Sequence, residues 1–322
     1  MKISLNINGK LVTAHHAKVS IFDHGFLYGD SVYETLLTYE GRPFLLDLHL
    51  DRLFRSSSAL QIKPSWSRDK YKKEIQKTLA PLVKQNKKKV MSQLWGRQGP
   101  SEEGDTVSPT TETLQKKCII RICLTRGVGP IGLDPELCSK PTNIIYTQEF
   151  KDYPKSFYTK GINIRLVSTQ RNSPFALSPA IKSCNFLNNI LAFIEAKNHH
   201  ALEGVMLNFK GHVAEGTTSN IFVVKDGVLR TPPLSSGILE GLTRWVVFEI
   251  CKKEKIKATE CVVRPHDIFK ADECFISSTT REVMPVTKCD GKKIGTGHVG
   301  RVTQKLIRCF QEYAQRALSC KL

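Results

Sequence analysis

Apolar and polar residues alternate from Ile3 to Ile7, break at Asn8-Gly9 and resume from Leu11 to Val19, which predicts an opening β-hairpin. Gly25 and Gly29 punctuate a loop ahead of a strand centred on Val32 to Tyr39. From Asp47 the period changes: Leu50, Leu53, Phe54, Ser57 and Leu60 fall at helical spacing, with Asp47 as a candidate N-cap. A second helix is predicted over 68–84, with Tyr71, Ile75, Leu79 and Leu82 on one face and a kink at Pro81. Residues 97–117 have no periodicity and are rich in Ser, Thr, Glu, Gly and Pro, the signature of an inserted loop. Strands at Cys118 to Thr125 and Asn143 to Phe150 follow, and Lys151-Asp152-Tyr153-Pro154 reads as a linker.

The second half alternates strands and helices. Strands are predicted at Ile162 to Ser168, Gly204 to Phe209 and Glu273 to Ser277, with turns at Lys210-Gly211 and Asp226-Gly227. Helices are predicted at Phe186 to His199, Thr243 to Glu254, Pro265 to Lys270 and Val299 to Leu318. In the first of these, Leu187, Ile190, Leu191 and Ile194 share a face. A length of 322 residues accommodates two domains, expected here as a smaller one at 1–150 and a larger one at 155–322, in a mixed α/β fold.

Composition narrows the class. The chain is 40% hydrophobic with a mean hydropathy of -0.24. Its first residues lack the continuous apolar core of a secretory signal. No apolar run approaches the roughly 18 residues of a membrane helix, so no membrane partner is expected. Ten scattered cysteines without a C-x-x-C pair suggest reduced thiols of a cytoplasmic protein rather than disulfides or a metal centre. The net charge of +18 raises the alternative of a basic nucleic-acid-binding protein. The lysines, however, are spread over helices and turns with no aromatic stacking motif between them, so attraction of anionic small molecules is the simpler account.

Candidate chemistry concentrates between Pro174 and Asn220. Lys182 lies in the apolar, prolyl setting Pro179-Ala180-Ile181-Lys182-Ser183. Desolvation favours the neutral amine, which can attack a carbonyl and form a Schiff base; a solvated helix-start lysine is the plain alternative. Glu215 lies among small residues in Ala214-Glu215-Gly216-Thr217-Thr218-Ser219-Asn220, where a strand-end carboxylate in solvent is the alternative. Gly237 to Arg244 opens a helix whose first N–H groups suit an anion, with Thr243 adding a hydroxyl and Leu242 a backbone N–H. Ser277-Ser278-Thr279-Thr280 ends a strand in four hydroxyl residues, a run whose backbone amides can form an anion nest. Arg126 to Leu133 satisfies G-x-G-x-x-G, but Pro135 and Pro141 break the helix that a dinucleotide site requires, so it reads as a glycine-rich loop.

These segments together resemble the fold-type IV, or class IV, aminotransferases that use pyridoxal 5'-phosphate, a group that includes branched-chain and D-amino-acid aminotransferases and aminodeoxychorismate lyases. The resemblance runs from about Ile3 to Phe310 and is densest over 174–300. It implies a two-domain α/β enzyme with the cofactor between a smaller N-terminal and a larger C-terminal domain, and a homodimer. Lys182 would hold the cofactor and shuttle the proton, and Glu215 would face the pyridine nitrogen. Arg52, in His49-Leu50-Asp51-Arg52-Leu53, would bind the phosphate together with Leu242, Thr243, Ser278 and Thr279. Leu239 would pack on the ring, and Thr279 and Thr280 would reach the substrate carboxylate. Tyr33, in Gly25-Phe26-Leu27-Tyr28-Gly29-Asp30-Ser31-Val32-Tyr33-Glu34, would face the substrate, although spacing alone allows a core aromatic equally. His24 departs from the family pattern, which carries arginine there. The loop at 126–133 would border the substrate pocket.

Within that family the substrate motifs diverge. Glu34-Thr35-Leu36-Leu37 and Ser278-Thr279-Thr280-Arg281-Glu282 are closer to the D-amino-acid group. Pro130-Ile131-Gly132-Leu133 lacks the arginine and histidine with which those enzymes clamp a carboxylate, and suits an aliphatic side chain instead. The lyases tend to lack the S-T-T-x-E-x-x-P-V ending found here. The expected substrates are therefore branched-chain L-amino acids with 2-oxoglutarate, with D-alanine or D-glutamate next.

Overall fold

The computed structural model describes residues 2–95 and 116–319, with side chains for all of these except 84–95 and 318–319. The predicted loop at 97–117 therefore lies, apart from its last two residues, outside the described residues. The chain divides into two compact units: one comprises Met1–Phe54, Gln61–Lys151 and Ala317–Leu322, the other Arg55–Leu60 and Asp152–Arg316.

The first unit contains β1 (Ile3–Ile7), β2 (Lys10–Val12), α1 (His24–Tyr28), β3 (Ser31–Tyr39), β4 (Arg42–Pro43), most of α2 (Leu46–Ala59), α3 (Arg68–Trp95), β5 (Cys118–Thr125) and β6 (Thr142–Glu149). Its strands form an antiparallel six-stranded sheet in the order β2-β1-β6-β5-β3-β4. Tyr71, Ile75, Leu79 and Leu82 of α3 are buried, as their shared face requires. Polar groups that they take into the core find partners: Asn6 Nδ2 donates to Glu74 Oε2 (2.8 Å), and the Tyr71 hydroxyl to Asn143 Oδ1 (2.5 Å).

Several expectations are corrected here. The second hairpin strand stops at Val12, and a 3-10 turn at Ala14–His16 replaces its continuation to Val19. The glycine-punctuated loop is the short helix α1, because Asp23 Oδ1 caps its start by accepting from Gly25 N (2.8 Å) and Gly29 ends it in the left-handed region. Asp47 lies inside the first turn of α2, not at its cap. α3 continues through Pro81 to Trp95, well past residue 84.

The second unit contains α4 (Lys155–Thr159), β7 (Ile162–Leu166), α5 (Leu187–Asn198), β8 (Glu203–Leu207), β9 (Val213–Gly216), β10 (Asn220–Lys225), β11 (Val228–Thr231), α6 (Leu242–Lys253), β12 (Ala258–Glu260), α7 (Pro265–Lys270), β13 (Glu273–Ser278), β14 (Glu282–Cys289), β15 (Lys292–Lys293) and α8 (Arg301–Ser319). Predicted elements of this half shift by at most one or two residues at their ends. Eight strands run β12-β11-β10-β13-β14-β7-β8-β9, with β15 paired to β14. Pairing is parallel at β11/β12, β14/β7 and β7/β8, and antiparallel elsewhere. Ile164, Val205, Ile221, Ile276 and Met284 lie in one buried cluster, while Phe222 and Phe275 stack at 4.7 Å between ring centroids.

In helix α5 the shared apolar face is the exposed one. Its buried residues are Asn189, Ala192 and Ala196, whereas Leu187 (69% accessible), Ile190, Leu191 (58%) and Ile194 are exposed. Gly204 is the cause: a Cβ there would come within 2.8 Å of the Ala192 carbonyl oxygen, so the small face of the helix is the one that can approach β8 this closely. The stacked rings of Phe222 and Phe275 give the fold a direct test. Phe275→Ala should lower the unfolding free energy by about 3–5 kcal/mol, read as a fall in the urea midpoint.

Candidate active site

Glu215 is the most demanding residue of the second unit. It is buried near the end of β9. Arg171 Nε donates to its Oε1 (2.9 Å), and Leu239 N (3.0 Å) and Asn220 Nδ2 (3.3 Å) donate to its Oε2. Burial pushes its carboxyl above the usual range, opposed by the charge of Arg171, the Leu239 N–H and the charge of Lys182. Lys182, half-buried in the segment before α5, therefore acts on Glu215 electrostatically, and its own N–H donates to Ser56 Oγ (3.1 Å). Arg171 is anchored in turn by Asn188 Oδ1 (3.1 Å).

Asn220 carries this network to the start of α6. Its Nδ2 also donates to the Leu239 carbonyl (3.0 Å), and a Cβ on Gly241 would collide with its Oδ1. Gly241 is the N-cap and supplies no capping side chain, so the first N–H groups of α6, beginning at Leu242 and buried Thr243, have no side-chain cap. Asn220 also faces Ser277 across the β10/β13 pairing. The Ser277 hydroxyl is buried and has no hydrogen-bond partner among the described residues. Ser278 ends β13, and Thr279-Thr280-Arg281 forms the turn to Glu282 on β14. Behind that turn, Arg281 Nη1 pairs with the fully buried Glu203 and donates to Thr218 Oγ1 (2.8 Å).

A buried carboxylate beside a lysine, an uncapped helix start and an orphaned hydroxyl fit a ligand that has a cationic ring nitrogen, a reactive carbonyl and a phosphate. Lys182, Glu215, Leu239 and Leu242 are linked by these interactions or by chain adjacency, with Thr243 on the same first turn and Ser278 beside Ser277. Thr279 and Thr280 follow on the turn.

Arg52 and Tyr33 belong to the first unit. Arg52 is buried and forks onto Glu34, Nε to Oε1 (2.6 Å) and Nη2 to Oε2 (2.8 Å), while His49 Nδ1 lies 2.7 Å from Glu34 Oε2. Burial alone would raise the Glu34 carboxyl, but the charges of Arg52 and His49 outweigh it and hold it far below the usual carboxylate range. Tyr33 is buried on β3, and the Arg121 guanidinium of β5 sits 3.6 Å from its ring centroid. Sequence reading passed over Arg121, Arg171, Asn188 and the Glu203–Arg281 pair. Strand alternation places Arg121 on the Tyr33 face, since Tyr33 pairs with Cys123 and Thr35 with Arg121, and was the available signal for it.

Comparisons with known proteins give the family. The family Amino-transferase class IV matches residues 31–289. A protein of Methanocaldococcus jannaschii, provisionally named a branched-chain-amino-acid aminotransferase, is 39% identical over 97% of this chain and 96% of its own length. A D-alanine aminotransferase of Staphylococcus haemolyticus is 32% identical over 96% of this chain and 97% of its own. An aminodeoxychorismate lyase of Bacillus subtilis is 32% identical over 95% and 93%. Among solved structures, a T.th. branched-chain amino acid aminotransferase with pyridoxamine 5'-phosphate superposes with a TM-score of 0.82, at 26% identity over 97% of this chain and 93% of that one. The chain belongs to the class IV aminotransferase family and has the fold of the fold-type IV enzymes.

The Glu34 pairing predicts a pH dependence. Its folded pKa is depressed, so its stabilisation is complete above the unfolded value and is lost as pH falls, starting near about pH 5 and continuing below about pH 4. Glu34→Gln should flatten the dependence of the urea midpoint on pH in that window, and should lower the midpoint at neutral pH because Arg52 is left buried without its counter-charge.

Proposed function

We propose that the protein is a pyridoxal 5'-phosphate-dependent transaminase that moves an amino group between branched-chain L-amino acids and 2-oxoglutarate. The observation that carries the transaminase assignment is the buried Glu215 carboxylate, held by Arg171 and Leu239 N and acted on by the charge of Lys182. When bound, pyridoxal phosphate supplies an electron sink for the pair left on the substrate α-carbon as its proton departs. Lys182 would hold the cofactor through its amine, and its Nζ would accept the α-proton and return it. Glu215 would hold a proton on the pyridine nitrogen, and the charge of Arg171 opposes the effect of burial on its carboxyl. Leu242 N–H and Thr243 at the start of α6, with Ser278 and Thr279, receive the phosphate, and Leu239 covers the ring. Arg52 contributes to the phosphate as the His-Leu-Asp-Arg-Leu motif implies, its fork oriented by Glu34. Thr279 and Thr280 hold the substrate carboxylate, and Tyr33, beneath Arg121, meets the substrate.

The branched-chain preference is supported by the M. jannaschii relative and by the loop at 126–133. Arg126 at its head is engaged by Asp30, with Nη2 3.2 Å from Oδ1, and its remaining large side chains are Val128, Ile131 and Leu133. A loop of that kind offers an aliphatic side chain more than it offers a carboxylate. The Ser278-Thr279-Thr280-Arg281-Glu282 turn and the D-alanine aminotransferase relative favour D-alanine as the second reading. We further assign the exposed α5 face to the contact between two copies of a homodimer, since a cluster of large apolar side chains on a surface marks an association site.

Lys182→Ala should abolish the violet-edge absorption band that borohydride removes from the wild type, and transamination with it; near wild-type turnover in the variant would sink the assignment. Glu215→Gln should slow the half-reaction by at least about a hundredfold, with a smaller effect on cofactor affinity. Loss of the band on mixing with L-leucine, L-valine, D-alanine and D-glutamate ranks the substrates. Formation of 4-aminobenzoate from aminodeoxychorismate would replace the transaminase reading by the lyase. Leu191→Asp should shift the sedimentation coefficient towards that of a monomer.

A further inference from the structure

We propose that Glu203 is a positioning residue for the turn at 279–281: acting through Arg281, this one carboxylate sets where Thr279 and Thr280 stand relative to the strand end that carries Glu215. The inference rests on the transaminase reading above, which gives that turn its anions, and every residue it uses belongs to the second unit. Glu203, on β8, is fully buried. Its Oε1 accepts from Gly204 N (3.1 Å), Thr217 N (2.8 Å) and Thr217 Oγ1, and its Oε2 from Thr218 Oγ1 (3.4 Å), Ser219 Oγ (3.1 Å) and Arg281 Nη1. The loop gathered in this way, Thr217 to Ser219, connects β9, with Glu215, to β10, which starts at Asn220. A Cβ on Gly216 would lie 2.3 Å from Ser219 Oγ and 3.1 Å from Glu203 Cδ, so the loop closes tightly on the carboxylate. From α5, Asn189 Nδ2 adds a donation to the Thr217 carbonyl (2.6 Å).

Arg281 carries the constraint to the turn. Its Nη1 bridges Glu203 and Thr218 Oγ1 (2.8 Å). Its backbone is held as well: the N–H donates to Ser278 Oγ (3.3 Å), and the carbonyl accepts from the Tyr158 hydroxyl of α4 (3.3 Å). The next residue, Glu282, has a φ of 55°, a left-handed conformation that a side-chain-bearing residue enters at a cost and that its surroundings must hold. Thr279 and Thr280 are the two residues enclosed between these anchors. Arg281 Nε is buried and has no hydrogen-bond partner among the described residues. A buried ion pair adds little net stability, and an orphaned donor subtracts from it. What the pair does supply is a fixed separation between the 217–219 loop and the 279–281 turn.

One substitution separates the two halves of Glu203. Gly204 N and Thr217 N can only donate, and both meet Oε1, whereas the hydroxyls around Oε2 can turn to accept and the guanidinium cannot. Glu203→Gln, with its amide oxygen in the Oε1 place, therefore keeps the loop and releases Arg281 alone. In the holoenzyme it should raise KM about tenfold for whichever of L-leucine, L-valine, D-alanine and D-glutamate reacts best, with kcat within about threefold of the wild type. In the cofactor-free protein, the preference for pyridoxal 5'-phosphate over pyridoxal, read as a ratio of dissociation constants, should fall about fivefold. Lys182 and Glu215 act on both ligands alike, so a general loosening of the fold would leave that ratio unmoved. Arg281→Met should reproduce both shifts and carries the test if Glu203→Gln does not fold; Arg281→Lys, which keeps a cation for Oε2, should recover part of them. The double variant Glu203→Gln/Arg281→Met should be no worse than either single one, because both act through one contact. A lowered urea midpoint with KM and the ligand ratio unchanged, or effects that multiply in the double variant, overturns the inference and leaves the transaminase reading standing. A wild type that forms no borohydride-sensitive band with pyridoxal 5'-phosphate overturns both.

Discussion

A carboxylate cannot be buried without partners, and Glu215 organises the second unit through that requirement. Its two oxygens need donors from three directions, and these come from an arginine after β7, an amide before α6 and the side chain at the start of β10. Each partner fixes a segment that is otherwise free to wander. Arg171 is further tied to Asn188 on α5, and Asn220 to the Leu239 carbonyl. This one buried carboxylate and its partners therefore hold the start of α6 and the segment preceding it in register. Such a network stabilises little in net terms, because desolvation offsets much of the attraction. It does make any arrangement that leaves one oxygen unpaired costly.

Glu34 in the first unit and Glu203 in the second repeat the solution with different partners. Glu34 is clamped by the arginine fork and a histidine, and Glu203 accepts from Thr217 N (2.8 Å), Ser219 Oγ (3.1 Å) and Arg281. Each arginine so engaged presents an oriented guanidinium rather than a mobile one. For a protein with a net charge of +18 this matters: an arginine beside a candidate anion site has its position set before any ligand arrives.

What the sequence made legible follows from the range over which each signal acts. The alternation from Ile3 to Ile7, the Asn8-Gly9 and Asp226-Gly227 turns and the buried face of α3 are local, and they appear in the structure where they were expected. The same turn chemistry at Asp290-Gly291 marks the β14/β15 hairpin, and β14 carries Pro285. The proline is tolerated because it faces Phe275 on one side and lies just before the pairing with β7 begins at Val286. The motifs pointed to Lys182, Glu215 and the start of α6 as candidates because residue type is what such a site would constrain most tightly. Arg171 and the orientation of α5 escaped because they are set across the fold, by a buried carboxylate and by the room that Gly204 leaves. A helix that is apolar around most of its surface, like Leu187–Asn198, does not declare its inner face by periodicity.

The same division of range explains why relatives with three different activities each match this chain over nearly its whole length. Identity of 32–39% spread over nearly the whole length reports a common fold and does not separate the three activities. Choice of side chain rests on far less: adding or removing a methylene in an apolar pocket is worth about 1–3 kcal/mol, which a few loop residues can supply. In this chain the loop at 126–133 holds its main chain through His24 and Tyr28 and commits Arg126 to Asp30, leaving apolar groups on offer. An enzyme clamping a second carboxylate there would need a cation that Asp30 has not already engaged. A difference in specificity of that size can therefore arise between relatives that match one another over nearly their whole length.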